Sequence, residues 1–249
     1  PVIIDISADL DDAARKIASS KTFDNATSCS SENSLVILDD IYDAALDALR
    51  AAGGFLVPST DVETLIGRLF PGGALNRDLI ARDIAVLGEA FDLNLPDSAS
   101  FLMIEEPGPA ADCPLTGEKL SLVLTIYRAA DFGDAVDIVS LVLDHQGKGH
   151  SVGIHSNVAE HGFRLAEELP VVRVLVNQAH SFANGGSFDN ALPFTLSMGG
   201  GTWAGNSISE NLNLDHFLNL THLVQTIPED KPSEAELFGA LWPQNRTAT

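Results

Sequence analysis

Short apolar runs alternate with longer stretches whose apolar residues recur at helical spacing, and this alternation sets the expected fold. Val2-Ile3-Ile4 reads as a buried strand. Asp9 to Ala18 then reads as a helix, with acids at its start and bases near its end to complement the macrodipole. Leu35 to Leu38 repeats the strand and Asp40 to Ala52 the helix, which Gly53-Gly54 terminates. Asp61 to Leu69 and Arg77 to Phe91 carry apolar residues at i, i+3 and i+4 and are separated by Pro71-Gly72-Gly73. Leu102 to Ile104 and Leu122 to Tyr127 are the next strands. They are followed by a helix over Asp131 to Leu143, a strand over Val152 to His155, a helix over Val158 to Leu169 and a strand over Val172 to Val176. Apolar strands separated by helices predict an α/β fold, its mostly parallel sheet covered by helices on both faces.

After Leu192 the pattern changes. A loop of small residues, Gly199 to Ser207, precedes Asp215 to Leu223, which reads as one late strand. Pro228 to Pro232 interrupts it, and Glu234 to Leu241 reads as a terminal helix. The expected division is an α/β domain over residues 1–211 and a C-terminal strand and tail over 212–249.

Composition narrows the partners. The 249 residues are 45% hydrophobic and 20% charged, which excludes disorder as the main state. Thirty-five acidic against fourteen basic residues give a net charge of −21, so the surface is acidic and nucleic acid is not the expected partner. Two cysteines, Cys29 and Cys113, are too few for a disulfide framework and point to a reducing cytoplasm. No apolar run reaches the ~18 residues of a membrane span, so no membrane partner is expected. The chain opens without a methionine at Pro1-Val2-Ile3-Ile4-Asp5, as a piece of a longer protein does.

Candidate chemistry begins at Cys29, in the small polar turn Thr27-Ser28-Cys29-Ser30-Ser31-Glu32-Asn33-Ser34. A structural cysteine packs in an apolar run, whereas a reactive one needs exposure and a field that favours thiolate. Free backbone N–H groups of this turn would supply such a field and hold an oxyanion. His150 follows Gly149 just before a strand, placed to reach a cleft at the end of a parallel sheet as a general base. Its competitors are His145, His155, His161, His180, His216 and His222, and a packed histidine is the alternative for each. Glu118, in Thr116-Gly117-Glu118-Lys119-Leu120-Ser121, stands where a carboxylate can accept from sugar hydroxyls, or can form a surface pair with Lys119. Gly199-Gly200-Gly201 and Gly147-Lys148-Gly149 lack dinucleotide-fingerprint spacing and read as tight turns or close backbone approaches. No HExxH or CxxC spacing occurs, so no metal site is expected.

Four motifs in order, Phe23 to Ser34, Glu118 to Ser121 with Tyr127 to Phe132, Gly149-His150, and Gly205 to Asn211, resemble the catalytic-domain half of the aldehyde dehydrogenase superfamily, in its CoA-acylating branch. The aldehyde dehydrogenase half of bifunctional aldehyde-alcohol dehydrogenases has similar motifs, and His180 to Phe188 is similar to acylating sulfoacetaldehyde dehydrogenases. The resemblance implies an aldehyde-dehydrogenase-like catalytic domain with a late oligomerisation-type strand, in a homo-oligomer. It implies oxidation of a small aldehyde with NAD or NADP as hydride acceptor and coenzyme A as acyl acceptor. Cys29 matches the nucleophile, His150 the histidine that assists acyl transfer, and Glu118 the glutamate contacting the nicotinamide-side ribose. Family members carry their dinucleotide-binding segment and side-chain oxyanion donor before the position matching Pro1, so neither is expected here. Two rival readings are a hydrolytic aldehyde dehydrogenase, in which water resolves the thioester, and a non-catalytic assembly domain.

Overall fold

The computed structural model describes residues 1–241 and places seven strands: β1 (Val2–Ile4), β2 (Ser34–Leu38), β3 (Gly54–Leu56), β4 (Phe101–Glu105), β5 (Val123–Ala129), β6 (Val152–His155) and β7 (Val174–Val176). They form one sheet in the order β3-β4-β5-β2-β1-β6-β7, and every pair is parallel. The helices between them are α1 (Leu10–Thr22), α2 (Tyr42–Ala51), α3 (Ser59–Leu69), α4 (Ile84–Phe91), α5 (Phe132–His145), α6 (Ala159–Glu168) and the short α7 (His180–Ala183).

Alternation along the central strands builds two cores. Val2 and Ile4 of β1 and Leu35 and Ile37 of β2 pack with α1 to α4 on one face of the sheet. Ile3 and Val36 point the other way and pack with Ala135, Val139 and Val142 of α5 and Leu165 of α6. Strands buried on both faces explain why they read as continuous apolar runs. The caps fit the sequence too: Asp9 accepts from the Asp12 N–H at 3.0 Å to start α1, and Asp131 from the Asp134 N–H at 2.9 Å to start α5.

Three elements depart from the sequence expectation. The helix expected over Arg77 to Phe91 is a single turn at Arg77–Leu79, then α4. The break is Ala81, at φ +59°, whose N–H donates to the Leu120 carbonyl (3.1 Å) and whose carbonyl accepts from Asn25 Nδ2 (3.1 Å). These tertiary bonds outweigh helical periodicity. Gly54–Leu56, expected only as a helix stop, forms edge strand β3 against Phe101–Met103. The late strand expected at Asp215 to Leu223 is not one: Leu214–Phe217 is a single turn, and residues 218–233 have no regular structure. A strand exists only with a partner ladder, and the described residues of this segment contain none.

The chain divides into two compact units, Pro1–Asn213 and Leu214–Thr249. The first holds the sheet. In the second, α8 (Glu234–Phe238) opens with a capping box between Ser233 and Glu236 and runs on into a 3-10 turn at Gly239–Leu241, so the expected terminal helix spans its expected residues. No helix among the described residues is long and apolar enough to cross a membrane.

Candidate active site

All strands being parallel, their amino ends share one edge of the sheet, and a cleft of about 260 Å³ opens there. Its lining includes Pro1 before β1, Ser34 at the start of β2, Gly117 and Glu118 ahead of β5, and His150 and Ser151 before β6. Open α/β sheets commonly bind ligands at their carboxyl ends; His150 does reach a cleft at the end of the parallel sheet, and the end is the amino one. At the carboxyl edge, Oδ2 of buried Asp5 accepts from Ser7 Oγ (2.6 Å) and Ser156 Oγ (2.8 Å), which tie the loops after β1 and β6 together.

Cys29 lines the cleft in an exposed turn closed by a bond from the Ser31 N–H to the Ser28 carbonyl at 2.9 Å. The Ser30 N–H donates to Ser28 Oγ at 3.3 Å. Two amides expected to be free are thus engaged, whereas the Ser28 and Cys29 N–H groups have no acceptor among the described residues. Upstream, Asp24, Asn25 and Ala26 are all left-handed, with φ of 49°, 47° and 62°, a conformation costing L-residues about 1–2 kcal/mol each. Asn25 compensates by donating to the Ala81 carbonyl and to Asp83 Oδ1 at 2.8 Å. Behind the turn, fully buried Lys21 donates from Nζ to the Glu32 carbonyl at 2.8 Å. Burial pulls the Lys21 ammonium down and pushes the Glu32 carboxyl up, each opposed by the charge of the other.

His150 sits in a turn closed by its own N–H on the Gly147 carbonyl at 3.1 Å. Gly149 precedes it at φ +85°, and a Cβ there would lie 2.4 Å from the Gly200 carbonyl oxygen. The close backbone approach read from the glycines is therefore real, and it seats the Gly199-Gly200-Gly201 loop against the histidine turn. His150 Nδ1 pairs with Ser151 Oγ at 2.7 Å, which also meets His180 Nε2 at 2.9 Å. Burial, with a smaller effect of Arg173, pulls His150 down to about 4, so the ring is neutral near pH 7. Buried His180 lies well below its ordinary range for the same first reason.

Glu118 is half-buried at the mouth of the cleft. Its N–H donates to Gln146 Oε1 at 2.9 Å, and the Lys119 N–H donates to Asn33 Oδ1 at 2.9 Å, so side chains from α5's end and from the cysteine turn fix this loop. Lys119 does not pair with Glu118 at the surface. Its fully buried Nζ bonds the Leu115 and Gly117 carbonyls at 2.7 and 2.9 Å, leaving the Glu118 carboxylate without a protein partner among the described residues. Cys29, His150 and Glu118 thus line one cleft.

No family model matches the chain. A sulfoacetaldehyde dehydrogenase (acylating) of Cupriavidus necator is 49% identical over 239 residues, 95% of this chain and 48% of that protein. A succinate-semialdehyde dehydrogenase (acetylating) of Clostridium kluyveri is 32% identical over 96% of this chain and 53% of that protein. The crystal structure of an acetylating aldehyde dehydrogenase from Geobacillus thermoglucosidasius aligns with a TM-score of 0.85 at 27% identity, over 92% of this chain and 51% of that chain. This chain is homologous to CoA-acylating aldehyde dehydrogenases. It spans about half the length of the curated relatives it matches.

Sequence patterns do not mark the residues that join the site of this acylating-dehydrogenase homologue. Asn184, fully buried at the end of α7, donates from Nδ2 to Ser30 Oγ (3.0 Å) and Ser151 Oγ (2.7 Å), linking the cysteine turn to the histidine turn. Asn211, in the Gly205 to Asn211 motif, donates from Nδ2 to the Asn184 carbonyl at 3.0 Å and to the Pro193 carbonyl at 2.9 Å. Polar residues in a glycine-rich run are the available signal, but their partners lie elsewhere in the chain.

Proposed function

We propose that this chain is the catalytic portion of a CoA-acylating aldehyde dehydrogenase. The single observation that carries the reading is that Cys29, His150 and Glu118, far apart in sequence, line one cleft in a chain homologous to acylating dehydrogenases. In this reading the Cys29 sulfur attacks the aldehyde carbon, giving a thiohemiacetal whose oxygen is met by the Cys29 N–H. A nicotinamide cofactor, NAD or NADP, supplies when bound the hydride acceptor that converts this adduct to a thioester on Cys29. Glu118 fits that cofactor, since its unpartnered carboxylate at the cleft mouth can accept from ribose hydroxyls. His150, neutral near pH 7, takes the proton of the incoming coenzyme A thiol as it displaces the acyl group.

Sulfoacetaldehyde is the first substrate to test, because the relatives at 49% and 35% identity carry that name. The reading divides the chain into a catalytic α/β domain over 1–211 and a tail over 212–249, with the dinucleotide-binding domain outside it. It also places the protein in the cytoplasm as a homo-oligomer, in which exposed Leu220, Leu223 and Val224 become covered.

Acyl transfer run backwards tests this without any nicotinamide. Incubation with acetyl-CoA or sulfoacetyl-CoA should add one acyl mass to Cys29 and release free coenzyme A, with no adduct in Cys29→Ala. A hydrolytic dehydrogenase gives no such adduct, and its absence would refute the acylating reading.

A further inference from the structure

Ser151 stands between two histidines that the fold brings from different parts of the chain. Its Oγ lies 2.7 Å from His150 Nδ1 and 2.9 Å from His180 Nε2, and it accepts from Asn184 Nδ2 at 2.7 Å. Each neighbour has a structural cause. Ser151 directly precedes β6, which sets its hydroxyl at the amino edge of the sheet beside the cleft. His180 opens α7, and Gly153 of β6 leaves room for its ring, since a Cβ there would lie 3.2 Å from His180 Nδ1. Asn184 follows α7 and is held by Asn211, which donates to the Asn184 carbonyl and itself accepts from Arg173 Nε at 2.9 Å.

A hydroxyl offers one hydrogen and two lone pairs, and an amide nitrogen only donates. Asn184 therefore occupies one lone pair of Ser151. One lone pair and one hydrogen remain for two ring nitrogens, so one ring donates to Ser151 and the other accepts from it. Both rings are neutral near pH 7 and carry a single N–H each. Two arrangements result. When Ser151 gives its hydrogen to His180 Nε2, His150 donates from Nδ1 and keeps a bare lone pair on Nε2. When the hydrogen goes to His150 Nδ1 instead, His150 carries its own hydrogen on Nε2 and offers the cleft no base. His150 Nε2 has no partner among the described residues and, unlike His180 Nδ1, is not closed to solvent, so it is the nitrogen that meets a ligand in the cleft. Buried His180 Nδ1 is unpartnered as a donor in the first arrangement and as an acceptor in the second, and it is penalised in both.

We propose that Ser151 and His180 are positioning residues that hold His150 with its hydrogen on Nδ1 and its Nε2 lone pair turned to the cleft. This rests on the reading of His150 as the base for the coenzyme A thiol, which only that arrangement permits. It gives His180 a task beyond packing, because its ring takes the hydroxyl hydrogen that would otherwise turn back to His150.

The test is long-range proton–nitrogen correlation spectroscopy of the chain with isotope-labelled histidine rings, which distinguishes a protonated ring nitrogen from a bare one. A His150→Gln sample assigns the His150 signals. The parent should show His150 protonated on Nδ1 and bare on Nε2. Ser151→Ala should move that hydrogen to Nε2, the ordinary preference of a free imidazole, and Ser151→Thr should restore the parent pattern. His180→Phe should move it as well, because the hydroxyl hydrogen then has only His150 to bond. Ser151→Ala carries the test if the phenylalanine variant does not fold. In the full-length protein, Ser151→Ala should slow acyl-CoA formation roughly tenfold, the lower end of the loss when a group that orients a histidine is removed, and Ser151→Thr should stay near the parent rate. A parent His150 protonated on Nε2, or a pattern unchanged in Ser151→Ala, overturns the proposal. A purely structural serine gives that second result together with a lower melting temperature. The spectra need no turnover and so are independent of the base reading. If His150→Ala forms acyl-CoA at the parent rate, that reading fails and the proposal falls with it, whatever the spectra show.

Discussion

Ser30 and Asn184, 154 positions apart, share a buried hydrogen bond of 3.0 Å, and through it the turn that presents Cys29 is fixed to the turn that presents His150. Both are local structures with few contacts of their own. The carboxamide makes them one rigid unit because the same Nδ2 also reaches Ser151 Oγ.

Asn184→Ala removes both bonds and leaves the Ser30 and Ser151 hydroxyls buried without that donor. A loss of about 1–3 kcal/mol in unfolding free energy is expected, with slower Cys29 alkylation in the folded fraction. Urea denaturation and iodoacetamide kinetics measure the two effects, and unchanged kinetics would confine Asn184 to a stabilising role.

The two cysteines separate cleanly. Cys29 is exposed at the cleft, whereas Cys113 is half-buried in a loop, its Sγ 3.9 Å from Glu106 Oε2. In the full-length protein, Cys29→Ala should abolish aldehyde oxidation and acyl transfer, and Cys113→Ala should leave most of both. Neither change removes much buried volume, so melting temperatures should stay close to that of the parent. A comparable activity loss at Cys113 would overturn the assignment.

The central strands are legible in the amino-acid sequence because burial on both faces leaves little room for polar residues, as in Leu35 to Leu38 and Leu102 to Ile104. β3 is not, since three residues after a helix-stopping glycine carry no periodicity. Asp215 to Leu223 misleads for the opposite reason: apolar alternation is present, but a strand needs a partner to pair with. Cys29, His150 and Glu118 are readable because turn composition and motif order are local. Asn184 and Asn211 are not, since their roles exist only through contacts across the chain. Arg173 is readable in principle: a lone charge inside Val171-Val172-Arg173-Val174-Leu175-Val176 is a charge the fold must bury.

Acid should destabilise the protein through its buried histidines. His155 is 3% exposed, and burial pulls it from 6.5 down to about 4. The unfolded chain therefore binds protons that the folded ring refuses, so its stability contribution is present above pH 6.5 and lost as pH falls through about 4. His150 shifts in the same direction. Glu32 has the opposite sign, because a carboxyl raised by burial loses stability as pH rises through that window. The informative quantity is thus a difference: His155→Gln should show a flatter dependence of the urea midpoint between pH 7 and 4.5 than the parent. Equal slopes would count against burial as the cause.

Dinucleotide binding should be weak in this chain alone. Glu118 offers a ribose contact at the cleft mouth, but the described residues show no glycine-rich turn opening a helix to cradle a pyrophosphate. Calorimetry with NAD and NADP should find no dissociation constant as tight as about 1 μM, near −8 kcal/mol. Tighter binding would mean that this chain contains the cofactor site.

The last prediction assigns His150 to the acyl-transfer step rather than to the first attack. A ring held near 4 by burial is a poor acceptor for a proton that must stay on it, yet a neutral imidazole is well suited to pass one on during attack by a thiol. In the full-length protein, His150→Ala should slow acyl-CoA formation by roughly two orders of magnitude, the range of a lost general base, while the first-turnover burst of NADH or NADPH persists. Rapid-mixing absorbance at 340 nm reads the burst, and chromatography of the quenched mixture reads acyl-CoA. If the burst disappears and a preformed acyl-enzyme is still cleaved by coenzyme A at the parent rate, His150 activates the nucleophile instead. A histidine that only packs against Gly149 would lower stability and leave both phases unchanged in the folded fraction.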